Sequence, residues 1–202
     1  MLYMWQEDRM TKRIAVLIAL FTMLCVSMGA FADEGRRGAM FQLGVGMATP
    51  MYDADTEAFF SYMESMPGVD RMRLSLNIAL GFGVSPGGII LGRMDGMGDR
   101  VYDGIDYMQM NLYLYSLGYR FYPSKTGLYF EGGVGSSVAV MQTSSLGNST
   151  SDHGFGFGVA CGYDFNTNIR GFGLIIEAKH NSYEIEGSSE AGISLVGNLC
   201  WK

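Results

Sequence analysis

Three groups of side chains in this chain have types and spacings that could do chemistry. His180, Ser182 and Glu184 fall at every second position, so on an extended strand they share one face. A base, a hydroxyl and a carboxylate on one face are the parts from which an activated serine nucleophile is made. Arg120, Glu131, Glu177, Lys179 and Arg73 form the second group, charges set among apolar and glycine-rich segments. They can neutralise one another in a buried plug or act as a gate, and the plug is favoured because an unpaired buried charge costs several kcal/mol, roughly. Asp95, Asp99, Asp103 and Asp106 are the third group, within a glycine-rich stretch from Asp95 to Asp106. Their spacing matches no calcium loop, so a solvated acidic loop is expected there, with no metal and no cofactor.

The elements that must position these residues read as strands. Leu117 to Tyr122 and Leu128 to Val134 alternate at period two on either side of the turn Pro123–Gly127, with Leu117, Tyr119, Phe121, Leu128, Phe130 and Val134 on one face. The other face holds Gly118, Arg120, Glu131 and Gly133, and antiparallel pairing sets Arg120 opposite Glu131 and Gly118 opposite Gly133. A water-soluble barrel would have to fill its core with glycine, arginine and glutamate. A membrane barrel reverses the sense, with the apolar face toward lipid and the polar face inside. The segment Arg71–Val84 alternates most strictly, with Met72, Leu74, Leu76, Ile78, Leu80, Phe82 and Val84 in one phase.

The remaining strands are expected at Ala39–Ala48, Ile89–Met94, Tyr107–Leu117 leading into the hairpin, Phe155–Phe165, Phe172–Lys179 and Ala191–Trp201. This gives eight strands and an all-β, antiparallel, up-and-down transmembrane barrel. Short turns alternate with longer polar connections at Thr49–Asp70, Asp95–Asp106, Gln142–His153 and Tyr183–Ser189. Phe82, Tyr119, Phe121, Tyr163, Phe165 and Trp201 gather at the short-turn end, as a periplasmic aromatic girdle would. The first long connection contains Phe59, Tyr62, Met63 and Met66 at helical spacing, predicting a short helix in the first extracellular loop.

Composition agrees. The longest apolar run, Ile14–Val26, is too short to span a membrane as a helix, follows Lys12 and Arg13, and leads to Ala30-Phe31-Ala32, so residues 1–32 read as a secretory signal and 33–202 as the barrel. A net charge of −6 argues against a nucleic-acid partner. Glycine is abundant at 29 of 202 residues, and in Gly154-Phe155-Gly156-Phe157-Gly158 it marks a crowded strand face, since no helix follows to complete a dinucleotide loop.

Leu117-Gly118-Tyr119-Arg120-Phe121-Tyr122, Gly162-Tyr163-Asp164-Phe165 and the terminal strand to Trp201 resemble the small eight-stranded outer-membrane barrels, among them the OmpA transmembrane domain, the opacity proteins and OmpW. The resemblance implies an outer-membrane location, assembly by the barrel-assembly machinery, and contact with the bilayer and lipopolysaccharide. Three functions are compatible with it. In the first, an uninterrupted fourth strand turns Met108, Met110, Leu112 and Leu114 inward against Ala139 and Met141, lining an OmpW-like conduit for small apolar molecules. A bulge between Leu114 and Leu117 would instead turn the leucines outward and remove the funnel. The second function is loop-mediated surface interaction with host molecules. The third rests on His180-Asn181-Ser182, which resembles the His-x-Ser element of lipid A deacylases. That family's next residue is Asn, where this chain has Tyr183, and polar residues near the headgroups need no catalytic explanation, so no catalytic residue is assigned.

Overall fold

The computed structural model describes residues 38–202 apart from 125, 146 and 167–170, so the expected signal segment 1–32 lies outside the described residues. The elements in chain order are β1 (Ala39–Met51), α1 (Ala54–Glu64), β2 (Asp70–Ser85), β3 (Gly88–Tyr102), β4 (Tyr107–Phe121), β5 (Leu128–Thr143), β6 (Gly147–Thr150), β7 (Gly154–Asp164), β8 (Phe172–Ile185) and β9 (Ser188–Trp201). Each long strand pairs antiparallel with its neighbours, and β1 with β9 closes the ring, giving an eight-stranded barrel to which β6 is a short flap hydrogen-bonded to β5.

The faces are inverted relative to a soluble barrel. Leu80 is 65% exposed and Leu117 66%, whereas Arg120 and Glu177 are 0% exposed in the lumen. That inversion fits a wall solvated by hydrocarbon. The register also fixes the shape. Leaving β3 at Gly98 and following partners through Leu74, Met47, Leu195, Ala178, Cys161, Phe130 and Phe121 returns to β3 at Gly88, ten residues earlier. An offset of that size tilts eight strands by roughly 40–45° and leaves an interior that side chains can fill.

Three strand boundaries differ from the sequence reading. β3 continues through the expected acidic loop, so Asp95 and Asp99 lie buried in the lumen and only residues 103–106 form the connection. Its inward residues are Arg93, Asp95, Met97, Asp99 and Val101, while Gly96 and Gly98 stand outward, so between Met94 and Arg100 no apolar outward side chain advertises the alternation. β5 runs to Thr143 and folds back into β6 where a loop was expected. β8 and β9 meet in a two-residue turn, Glu186 and Gly187 both at positive φ, in place of the longer loop expected at Tyr183–Ser189. The predicted helix is present as α1, one turn earlier than Phe59–Met66 suggested, because the Asp53 side chain caps it by accepting from the backbone N–H of Asp55 (3.0 Å) and Thr56 (2.9 Å).

Inward glycines let neighbouring strands approach. A Cβ at Gly135 would stand 1.9 Å from the Tyr115 carbonyl oxygen, whereas one at Gly92 would meet nothing within 4 Å. Gly135→Ala should therefore destabilise the barrel by about 2 kcal/mol while Gly92→Ala stays near neutral. Urea unfolding in lipid, followed by tryptophan fluorescence, measures both, and equal midpoints would contradict the packing described.

Candidate functional site

The lumen is filled in three layers beneath a lid. At its periplasmic end Met40, Ile89, Leu91, Tyr122, Tyr129, Ile175 and Cys200 pack together. Tyr122 donates to Asp164 (3.2 Å), and Lys202 pairs with Asp164 and donates to the Asn166 carbonyl (2.7 Å), closing the floor.

Above it lies a belt of Arg93, Arg120 and Lys179 against Asp95, Glu131 and Glu177, three cations and three carboxylates whose formal charges cancel. Arg93 is the hub, bonded to Asp95 (3.0 Å), Glu131 and Glu177. Arg120 donates to Glu131 (2.8 Å), to Gln42 of β1 (2.9 Å) and to Glu177 (3.5 Å), and its guanidinium lies 4.1 Å from the Tyr129 ring. Tyr129 donates to Glu177, and Lys179 to Asp95. The pairing of Arg120 with Glu131 in the β4–β5 register is thus part of a larger ring. Between Arg93, Asp95, Glu131 and Lys179 a void of about 10 Å³ remains, room for about one water.

The upper layer is apolar. β4 keeps one register from Met108 to Phe121, with no bulge, so Leu112 pairs with Ala139, Met110 with Met141, and both leucines point inward. Leu112 and Leu114 are fully buried against Tyr183 and Ile185, with Tyr52, Met110 and Ala139 packed around them. Met108 stands above this layer opposite Val101, and Met141 is 42% exposed where β5 rises beyond the shorter β7 and pairs with β6. These two methionines do not line the buried interior.

α1 closes the mouth. Phe60, its one buried residue, stacks on Tyr52 with ring centroids 5.4 Å apart. Arg71 of β2 then joins lid to wall: it donates to Asp99 (2.9 and 2.6 Å), to Glu57 (3.2 and 3.3 Å) and to Glu64 (3.4 Å), with its guanidinium 4.9 Å from the Phe60 ring. Arg73, expected in the central charge group, belongs instead to this upper latch, 3.7 Å from Asp99 and 3.8 Å from Glu64. It sits too far up β2 to reach the belt, because Asn77 and Ala79 occupy the positions level with Asp95 and Arg93.

His180, Ser182 and Glu184 share the outward face of β8, but their heights differ. His180 is level with Val159 and Ile193 in the middle of the apolar wall, and among the described residues neither His180 nor Ser182 has a side-chain hydrogen bond. Phe82, Phe165 and Trp201 are exposed at the short-turn end, as is Tyr163, with Tyr119 and Phe121 half-buried beside them. The sequence reading gave no role to Arg93 or Arg71 and set Asp95 and Asp99 in a solvated loop, because the outward positions 92, 96 and 98 beside them on β3 are glycines.

Belt and latch make separate predictions. Arg93→Ala leaves three carboxylates against two cations in a dry layer and should cost about 3–5 kcal/mol of unfolding free energy. Arg93→Met combined with Glu177→Gln restores neutrality and should lose less than the sum of the two single changes, by about 1–3 kcal/mol. Additive losses in urea unfolding would break the belt into independent residues. In the latch, hydrogen bonds from Arg71 hold the Glu57 carboxyl below its ordinary value of 4.5. A depressed carboxyl contributes fully above that ordinary value and loses its contribution as pH falls through the lowered one. A nitroxide at Tyr62→Cys should therefore report an immobile helix above about pH 5 and a mobile one in more acid solution. Glu57→Gln should flatten that transition.

Residues 17–195 match the family described as outer membrane protein beta-barrel domain. No curated protein matches the sequence. Among solved structures, Ail, the attachment invasion locus protein of Yersinia pestis, in complex with the heparin analogue sucrose octasulfate, is similar with a TM-score of 0.57 at 10% identity, over 82% of this chain and 99% of that one. Neisserial surface protein A is similar with a TM-score of 0.51 at 13% identity, over 82% and 99%. Likeness at such identities is a likeness of fold, and it agrees with the inverted faces and the closed ring of eight strands. The chain belongs to the outer membrane β-barrel domain family and is an outer-membrane protein.

Proposed function

We propose that this protein is a closed-lumen platform in the outer membrane that acts through its extracellular end. The filled lumen carries this reading: a neutral charge belt lies between two apolar layers, and Leu112 and Leu114 are 0% exposed beneath a latched helix. In the alternative, a conduit for small apolar molecules, Met110, Leu112, Leu114 and Ala139 would be its lining. Here they form a plug, and a solute would have to displace α1, Tyr52 and that layer before reaching the belt, where the void between Arg93, Asp95, Glu131 and Lys179 has room for about one water. The belt then serves as structural filling and not as a gate.

The extracellular end has a definite electrostatic character. Asp53, Asp55, Glu64, Asp103, Asp106, Asp152 and Glu186 are exposed there, while Arg71 and Arg73 are engaged by Asp99 and α1. A sulfated sugar, such as the heparin analogue bound in the Ail complex, would meet repulsion on this surface. A basic partner surface fits it, with attraction that weakens as salt rises.

Thiol labelling tests the closed lumen. In a background without other thiols, Leu112→Cys should resist a small water-soluble reagent added from outside and become reactive once Arg71→Ala releases the lid. Fast labelling with Arg71 intact, together with steady conductance of the reconstituted barrel, would favour the conduit.

A further inference from the structure

On the outer wall a single arginine stands apart. Arg100 of β3 points outward between Met72 of β2 and Gln109 of β4. Among the described residues it has no carboxylate within ion-pair distance, although its diagonal neighbour Asp70 is acidic and the end of the barrel around it is rich in acids. Its guanidinium is held by rings instead, 4.2 Å from the centroid of Tyr107 and 5.8 Å from that of Tyr102. Its Nε is shielded from water and unpartnered. Beside it the Gln109 amide donates to the buried Asn111 (2.6 Å). Among the described residues no other lysine or arginine faces outward on the upper half of the wall.

The height of this group identifies its environment. Ile90, on the same strand and face, lies beside Phe82 and Tyr119 of the lower aromatic girdle. Arg100 is ten residues further up β3, and at ~3.3 Å per residue with a tilt of roughly 40–45° that is about 24 Å higher. The apolar band of such barrels is about 25 Å tall, so Arg100 stands where the outer leaflet's headgroups begin. Just below it, Asn111 and Tyr113 of β4 lean over Gly98 and Gly96, so that a Cβ at Gly98 would stand 3.1 Å from Asn111 and one at Gly96 3.2 Å from the Tyr113 ring. A cation oriented by two rings, lacking a protein anion and standing at headgroup height, has the chemistry of a phosphate holder for a lipid of the outer leaflet.

We propose that Arg100, with Tyr107 and Tyr102 orienting its guanidinium, binds the phosphate of an outer-leaflet lipid and fixes the barrel's contact with that leaflet. The test uses the full barrel in nanodiscs of zwitterionic lipid doped with lipid A carrying its phosphates, or with the same lipid dephosphorylated, and counts lipid retained per barrel by native mass spectrometry. The wild type should retain the phosphorylated lipid in preference, and Arg100→Gln should lower that retention about fivefold, the worth of one interfacial arginine. Tyr107→Leu, which keeps the charge and removes the ring, should fall between. Excess inorganic phosphate should leave retention unchanged, because the acyl chain contributes to holding the lipid. Equal retention by Arg100→Gln, or equal retention of the dephosphorylated lipid, would overturn the proposal. Displacement by inorganic phosphate would overturn it as well, reducing the site to a free-anion site. Heat-shifted migration on gels checks that each variant is folded. This outcome is independent of whether the lumen conducts.

Discussion

The structure depends on one electrostatic constraint: six ionised side chains inside a ring surrounded by hydrocarbon must cancel one another. At that depth each charge left over would cost several kcal/mol, roughly. The belt meets the constraint with contributions from β3, β4, β5 and β8, and with Gln42 from β1 supplying a neutral acceptor. Because Arg93 reaches both Glu131 and Glu177, strands on opposite sides of the lumen are tied through the middle as well as around the wall. The apolar layers above and below keep the belt dry, and that dryness makes the pairing strong.

The lid repeats this logic at the mouth, where water is close. Arg71 stands between Asp99 of the wall and Glu57 and Glu64 of α1, and covers the Phe60 ring. Half-exposed carboxylates make this a weaker joint than the belt, and one that responds to pH and salt. The proposed function therefore lies at the outer end, where the segments are accessible and the charge is unbalanced.

Much of this architecture was legible in the sequence, for identifiable reasons. β2 alternates without a break, and the pairing of Arg120 with Glu131 followed from hairpin register, which the structure reproduces residue for residue. The inward turn of Leu112 and Leu114 followed from carrying the same phase up β4. Their role did not, because a period of two places a side chain inside without saying what fills the space across from it. Tyr183 and Ile185 fill it from a segment read as loop. The upper half of β3 was hidden for the opposite reason: its lipid face between Met94 and Arg100 is Gly96 and Gly98, so hydropathy showed no alternation. The central ring was underestimated because its hub, Arg93, lay at the edge of that hidden segment, and Lys179 and Glu177 could be placed inward from sequence but not given partners.

The seam between β1 and β9 carries a consequence for how the molecule is made. It joins the two ends of the barrel sequence through eleven residue pairs, from Phe41 with Trp201 to Met51 with Ala191. Contacts so distant along the chain form late, since the loop-closure entropy must be met before they contribute. Until this seam shuts, Gln42 is not in place beneath Arg120, and the lumen stays open to water along one side. The last step of assembly is therefore also the step that dehydrates the charged ring, so an incompletely zipped barrel would be a hydrated, soft intermediate and the finished one resists reopening from either edge.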